Sequence, residues 1–145
     1  MSREFTESLR VFVNEMESYI QIEVKEYGLE HLAGPQGRTI VYLYHNRDKE
    51  IFVKDIEAEL KVAKSVASNL VKRMERNGFI VSLPSQKDKR YKHIELTVLG
   101  LEQAPRIESL FESVRDKFFR GITKEEMEIT VSVLKRIERN LKERK

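Results

Sequence analysis

Between Lys54 and Leu96 the apolar residues change their period once, at Gly78, and that change limits the folds open to the chain. Before Gly78, Ile56 and Leu60 recur at helical spacing in the short stretch "KDIEAELKV". Ala63, Ala67, Leu70, Val71 and Met74 then line one face of a second helix. Steps of three and four are the spacing of an inward-facing helical stripe. A turn around Lys61 to Ala63 separates the two helices, and Gly78 supplies a stop that tolerates positive φ. After Gly78 the period shortens. Phe79 to Leu83 and Tyr91 to Leu96 read as strands, the second with His93 and Glu95 alternating against Ile94 and Leu96. The basic loop between them makes a hairpin with a long tip.

The flanks are helical. Phe5, Leu9, Phe12, Met16, Tyr19, Ile20, Val24 and Tyr27 form one face of a helix over 4–28. "AGPQGRTIVYLYHN" puts Pro35 at a first helical position, with Ile40, Leu43 and Tyr44 inward. "KEIFV" reads as one short edge strand. Thr97 is an N-cap for a helix through Ile107, Leu110, Phe111, Val114 and Phe118, in which Pro105 predicts a kink or a delayed start. Gly121 breaks it, and "TKEE" is a capping box, Thr123 with Glu126, for a last helix bearing Met127, Val131, Leu134, Ile137 and Leu141. The expected fold is therefore mainly α with a small β-hairpin wing. It is a winged helix-turn-helix over 33–97, with helices at 4–28 and 98–145, in one chain spanning 1–145.

Charge falls unevenly on this frame. The net charge is only +3, yet Lys61 to Lys92 holds nine basic residues against Glu75 and Asp88. A basic segment in an otherwise acidic chain is the footprint of a nucleic-acid binder. On the second helix of the pair, Ser65, Ser68, Asn69, Lys72 and Arg76 share the face opposite the apolar stripe. Short hydroxyls allow close approach to a major groove, and Asn69 suits the N6 and N7 of adenine. Lys64, Arg73 and Arg76 suit phosphates, which set register rather than sequence. An ordinary amphipathic helix with a polar outer face accounts for the same pattern taken alone; the basic hairpin just downstream favours DNA.

"DIEAELKVAKSVASNLVKRMERNGFI" followed by "SQKDKRYKHIELTVLG" resembles the MarR (multiple antibiotic resistance regulator) family of transcription factors. The resemblance is carried by the helix-turn-helix from Leu60 to Asn69 with its "RMERNGFI" continuation, by Asp88 and Arg90 in the wing, and by "LTVLG" opening the next helix. "LAGPQGRTIVYLY" resembles the family's second-helix segment. It implies that Arg90 enters a minor groove while Asp88 holds its guanidinium, and that Lys87, Lys89 and Lys92 meet phosphates. A narrow A·T-rich groove attracts such an arginine. The resemblance also implies a homodimer, for which the terminal helices supply more apolar face than a small winged domain covers. Two recognition helices would then address a pseudo-palindromic operator. Ala63 and Ala33 depart from the family pattern, standing where a side-chain cap is usual.

Many members of the family release DNA when a small, often aromatic, acid binds between the dimerisation helices and the winged domain, so the resemblance implies a ligand-responsive repressor. Phe12, Met16, Tyr19, Tyr42, Tyr44 and His45 are the candidates to line such a crevice, although aromatics at helical spacing are more often core. No cofactor and no metal site are expected: the chain has no cysteine, and His31, His45 and His93 stand apart. There is no phosphate loop with Lys-Ser/Thr, no HExxH and no dinucleotide fingerprint, so an enzyme is not expected. No apolar run approaches a membrane span, and "MSREFTESLR" carries charge where a secretory signal is apolar. A cytoplasmic, nucleoid-associated protein of a bacterium or archaeon is the expectation. The alternative is a winged-helix module that binds protein partners instead of DNA.

Overall fold

The computed structural model describes residues 3–30, 32 and 34–143. Its element order is α1 (Arg3–Tyr27), α2 (Pro35–His45), α3 (Val53–Leu60), α4 (Lys64–Arg76), β1 (Ile80–Pro84), β2 (Lys92–Leu96), α5 (Val98–Phe118) and α6 (Lys124–Lys142). The chain divides into two compact units, Met1–Val114 and Arg115–Lys145. No helix among the described residues is long and apolar enough to cross a membrane.

The first unit is built around the helix-turn-helix. α3 packs on α4, α2 packs on both, and the β1–β2 hairpin closes the end. Ile56 and Leu60 from α3 meet Ala67, Leu70, Val71 and Met74 from α4, with Ile40 and Leu43 from α2 and Ile80 and Ile94 from the hairpin. All ten are buried, and burying a side chain of the Leu, Ile or Met type stabilises by about 1.5–3 kcal/mol. Ala104, Ile107 and Leu110 of α5 belong to the same core. The polar face of α4 is oriented outward because the core claims its other side.

Local chemistry ends and starts the elements where the sequence marks them. α4 stops in a Schellman motif, with Gly78 at φ +84°. The Gly78 amide donates to Glu75 at 3.0 Å and the Phe79 amide to Met74 at 3.1 Å. Phe79 is thus used by the helix end, and the strand begins at Ile80 rather than Phe79. Thr97 caps α5 by accepting the Gly100 amide at 3.2 Å, while its hydroxyl donates to the Gly78 carbonyl at 2.6 Å. One threonine therefore ties the end of α4 to the start of α5. In the second unit, Thr123 and Glu126 form both bonds of the expected capping box, at 3.1 and 2.8 Å.

Two expectations need correction. "KEIFV" is not a strand of its own: Ile51 alone bridges to Ile94, with the Ile94 amide donating to Ile51 at 2.7 Å. Asp55 takes the Phe52 amide at 2.8 Å and starts α3 at Val53, which ends the extended run early. Nor does Pro105 delay its helix, since α5 is continuous from Val98 to Phe118. Pro105 removes only the one helical bond that its own amide would have donated to the Leu101 carbonyl.

Candidate nucleic-acid interface

The two halves of the basic segment lie on one unit and are both open to solvent. On α4, Lys64, Ser65, Asn69, Lys72, Arg73 and Arg76 are exposed and Ser68 is half-buried. Ser68 and Lys64 line a concavity with Phe52, Val53, Lys54, Glu57, Tyr91 and Lys92, so the start of α4 meets the base of the wing. Asn69, Lys72, Arg73 and Arg76 share a shallow depression with Glu75, an acid on an otherwise basic surface.

The helix-turn-helix corner carries one strained residue. Lys61 closes α3 in the left-handed region at φ +56° and ψ +49°. Ala63 follows as the N-cap of α4 in extended geometry and makes no side-chain cap bond. The missing cap inferred from Ala63 is therefore seen in the backbone. Ala33 lies outside the described residues; α2 has Gly34 at its N-cap, again without a side-chain bond.

In the wing, β1 and β2 pair antiparallel from Ile80 opposite Leu96 to Pro84 opposite Lys92. Residues 85–91 form the tip. Asp88 accepts the Arg90 Nε at 3.0 and 3.2 Å and Nη2 at 2.7 Å, and also takes the Arg90 amide at 3.1 Å. The Arg90 side chain nevertheless remains 82% exposed. Its guanidinium holds the Asp88 carboxyl below the usual range, and Asp88 in turn raises Arg90. Lys87, Lys89 and Lys92 are all exposed around it. The wing presents a pre-aimed cation.

Two further residues belong to this surface. Val66 is 50% exposed at the edge of the polar face of α4, and an apolar group there can meet a thymine methyl. Its position between the two faces at helical spacing was the available signal. Tyr91 is 59% exposed, with the Arg90 guanidinium 5.8 Å from its ring centre. Nothing in its spacing separates it from an ordinary strand residue.

The six crevice candidates are placed differently. Phe12 is exposed on α1, and Met16 and Tyr19 are half-buried. On α2, Tyr42 faces α3, where burial and then Asp55 and Glu59 raise its hydroxyl. His45 reaches α5 instead, with Nε2 2.9 Å from Glu108, and Tyr44 carries the Arg47 guanidinium 3.9 Å above its ring. Tyr42 and His45 thus face different helices. A concavity of about 380 Å³ between the end of α2 and the wing is lined by others, among them Leu43, Glu50, Ile51, His93 and Leu101. Among the described residues no group of three His, Asp or Glu is arranged to hold a metal ion; His31 lies outside them.

A helix-turn-helix with a basic outward helix and an arginine-tipped hairpin defines the class of winged helix-turn-helix DNA-recognition proteins. A sequence profile of the MarR family matches residues 30–90. The solved structure of heme-free PefR is 46% identical, covers 93% of this chain and 98% of that one, and superposes with a TM-score of 0.86. PefR from Streptococcus agalactiae, a heme sensor solved with heme, is 45% identical over 97% of this chain and 95% of that one, at a TM-score of 0.76. MepR of S. aureus, solved as a DNA complex, is 25% identical over 97% and 99%, at a TM-score of 0.77. The chain belongs to the MarR family.

Proposed function

We propose that this protein is a ligand-responsive transcriptional repressor that binds double-stranded DNA as a homodimer. One observation carries the reading: an arginine clamped by its neighbour Asp88, yet 82% exposed, stands on the same unit as an outward helix of hydroxyls, amide and cations. In this reading Ser65, Ser68 and Asn69 face bases in the major groove. Lys64, Lys72, Arg73 and Arg76, with Lys87, Lys89 and Lys92, neutralise phosphates. Arg90 enters the minor groove, and Val66 offers an apolar contact. Residues 33–97 read DNA, while 4–28 and 98–145 pair two copies. Exposed Leu9, Phe12 and Val13 on α1, and Ile129, Val131, Leu134 and Leu141 on α6, support pairing, because surfaces of this kind are usually covered.

Heme is the first effector to test, because PefR binds it. The two described histidines do not suit it within one copy. His45 is exposed and engaged by Glu108, and buried His93 lies between two carboxylates rather than in an apolar slot. A titration followed in the Soret region, with DNA release read in parallel, separates heme from a smaller aromatic acid.

Arg90→Ala tests the DNA reading. Specific affinity should fall roughly tenfold or more, the cost of one well-placed contact, with the dimer intact by light scattering. Unchanged affinity removes the wing from recognition.

A further inference from the structure

The wing tip is held from outside the wing. Glu50 lies in the connection between α2 and α3. It accepts the Ser85 hydroxyl at 2.6 Å through Oε1 and the Gln86 amide at 2.8 Å through Oε2. The Ser85 oxygen accepts the amides of Lys87 at 3.1 Å and Asp88 at 3.3 Å. A hydroxyl has one proton to give and two lone pairs to fill, so the capacity of Ser85 is used in full. Asp88 then takes the Arg90 guanidinium. A continuous series of hydrogen bonds therefore runs from the α2–α3 connection to the exposed cation.

Burial makes this series effective. Ser85 is 4% exposed and the Glu50 side chain 19%, so water competes weakly for the bond between them, while the Gln86 bond lies at the surface. His93 Nε2, on the far side, lies 3.8 Å from Glu50 and 3.5 Å from Glu95. The Ser85 bond, then the Gln86 amide, lower the Glu50 carboxyl below its usual range; His93 and Lys87 add to this.

We propose that Glu50 is a positioning residue for DNA recognition: acting through Ser85, it sets the shape of the 85–90 loop and so the reach of Arg90. The proposal rests on reading the wing as a DNA-contacting finger. A loop without these bonds spends only part of its time in the competent shape, and affinity falls by that fraction.

The test measures affinity for one operator duplex at fixed salt in Glu50→Ala, Ser85→Ala, Arg90→Ala and the Glu50→Ala/Arg90→Ala double variant, with amide exchange across the chain. Glu50→Ala and Ser85→Ala should each weaken binding roughly three- to tenfold, and the double variant should lose clearly less than the product of the two single losses, as groups in one series do. Exchange should quicken at Gln86, Lys87, Asp88 and Arg90 while the α4 amides stay protected. Glu50→Gln, which keeps one acceptor, should fall between wild type and Glu50→Ala. Wild-type affinity in both single variants, a full multiplicative loss in the double variant, or faster exchange in α4 as well would each overturn the proposal. Should Arg90→Ala itself leave affinity unchanged, the wing reading fails first, which is a separate result.

Discussion

Asp88 and Arg90 are two residues apart, and it was the resemblance of this Asp-x-Arg to the MarR wing that marked them as a pair in the sequence. The structure adds the bidentate geometry, which explains how a long side chain stays both exposed and aimed. Glu50 offered no comparable signal, because its partners lie 35 and 36 positions away and only the folded chain brings them together. The lowered carboxyls of Asp88 and Glu50 set a pH window. A group whose folded value is depressed contributes stability above its unfolded value and loses it as pH falls through the folded one. The wing should therefore keep its order from neutral pH down to about 4 and lose it below. Amide shifts of residues 85–90, followed by NMR against pH, should move only in the acid range. Asn69 belongs to the same scale. Asn69→Ala should relax preference at one base pair of each half-site, a change of about 1–3 kcal/mol in discrimination. Competition among single-base operator variants measures it, and a uniform loss over all sequences would make Asn69 a backbone contact.

The helices were legible because their apolar stripes are long and their ends carry recognisable chemistry. Gly78 at the end of α4 and the Thr123–Glu126 box at the start of α6 both do what their residue types require. "KEIFV" misled because a β-rich run of five residues cannot reveal that Asp55 claims the Phe52 amide for a helix. Of the two outcomes expected at Pro105, the delayed start is absent, because the helix gives up only the single bond that Pro105 cannot donate. The unfilled position at the front of α4 yields a prediction. Ala63→Ser should supply the cap that Ala63 lacks and stabilise the fold by about 0.5–1 kcal/mol, read as a higher unfolding midpoint. An unchanged midpoint would mean that the strained Lys61 corner, rather than the cap, limits this helix. The crevice candidates were the least legible part. The family resemblance suggested one lining of six residues, and sequence spacing carries no information on which neighbours each meets: Tyr42 lies near Asp55 and Glu59 of α3, and His45 meets Glu108 of α5.

For the whole molecule, the element order carried the identification, and most of that order is legible in the amino-acid sequence. Apolar side chains left exposed on α1 and on α6 fit a chain that works as a pair, and a pair needs an operator of matching symmetry. Repression, effector response and dimeric reading all descend from the claim that two copies bind one duplex through α4 and the wing. Selection of bound duplexes from a random pool, at moderate salt, tests that claim most directly. The expected product is an inverted repeat whose half-sites are centred about one helical turn, roughly 34–36 Å, apart, flanked by A·T-rich steps where Arg90 enters. A pool that returns without any enriched sequence, or with a single asymmetric site, would contradict it.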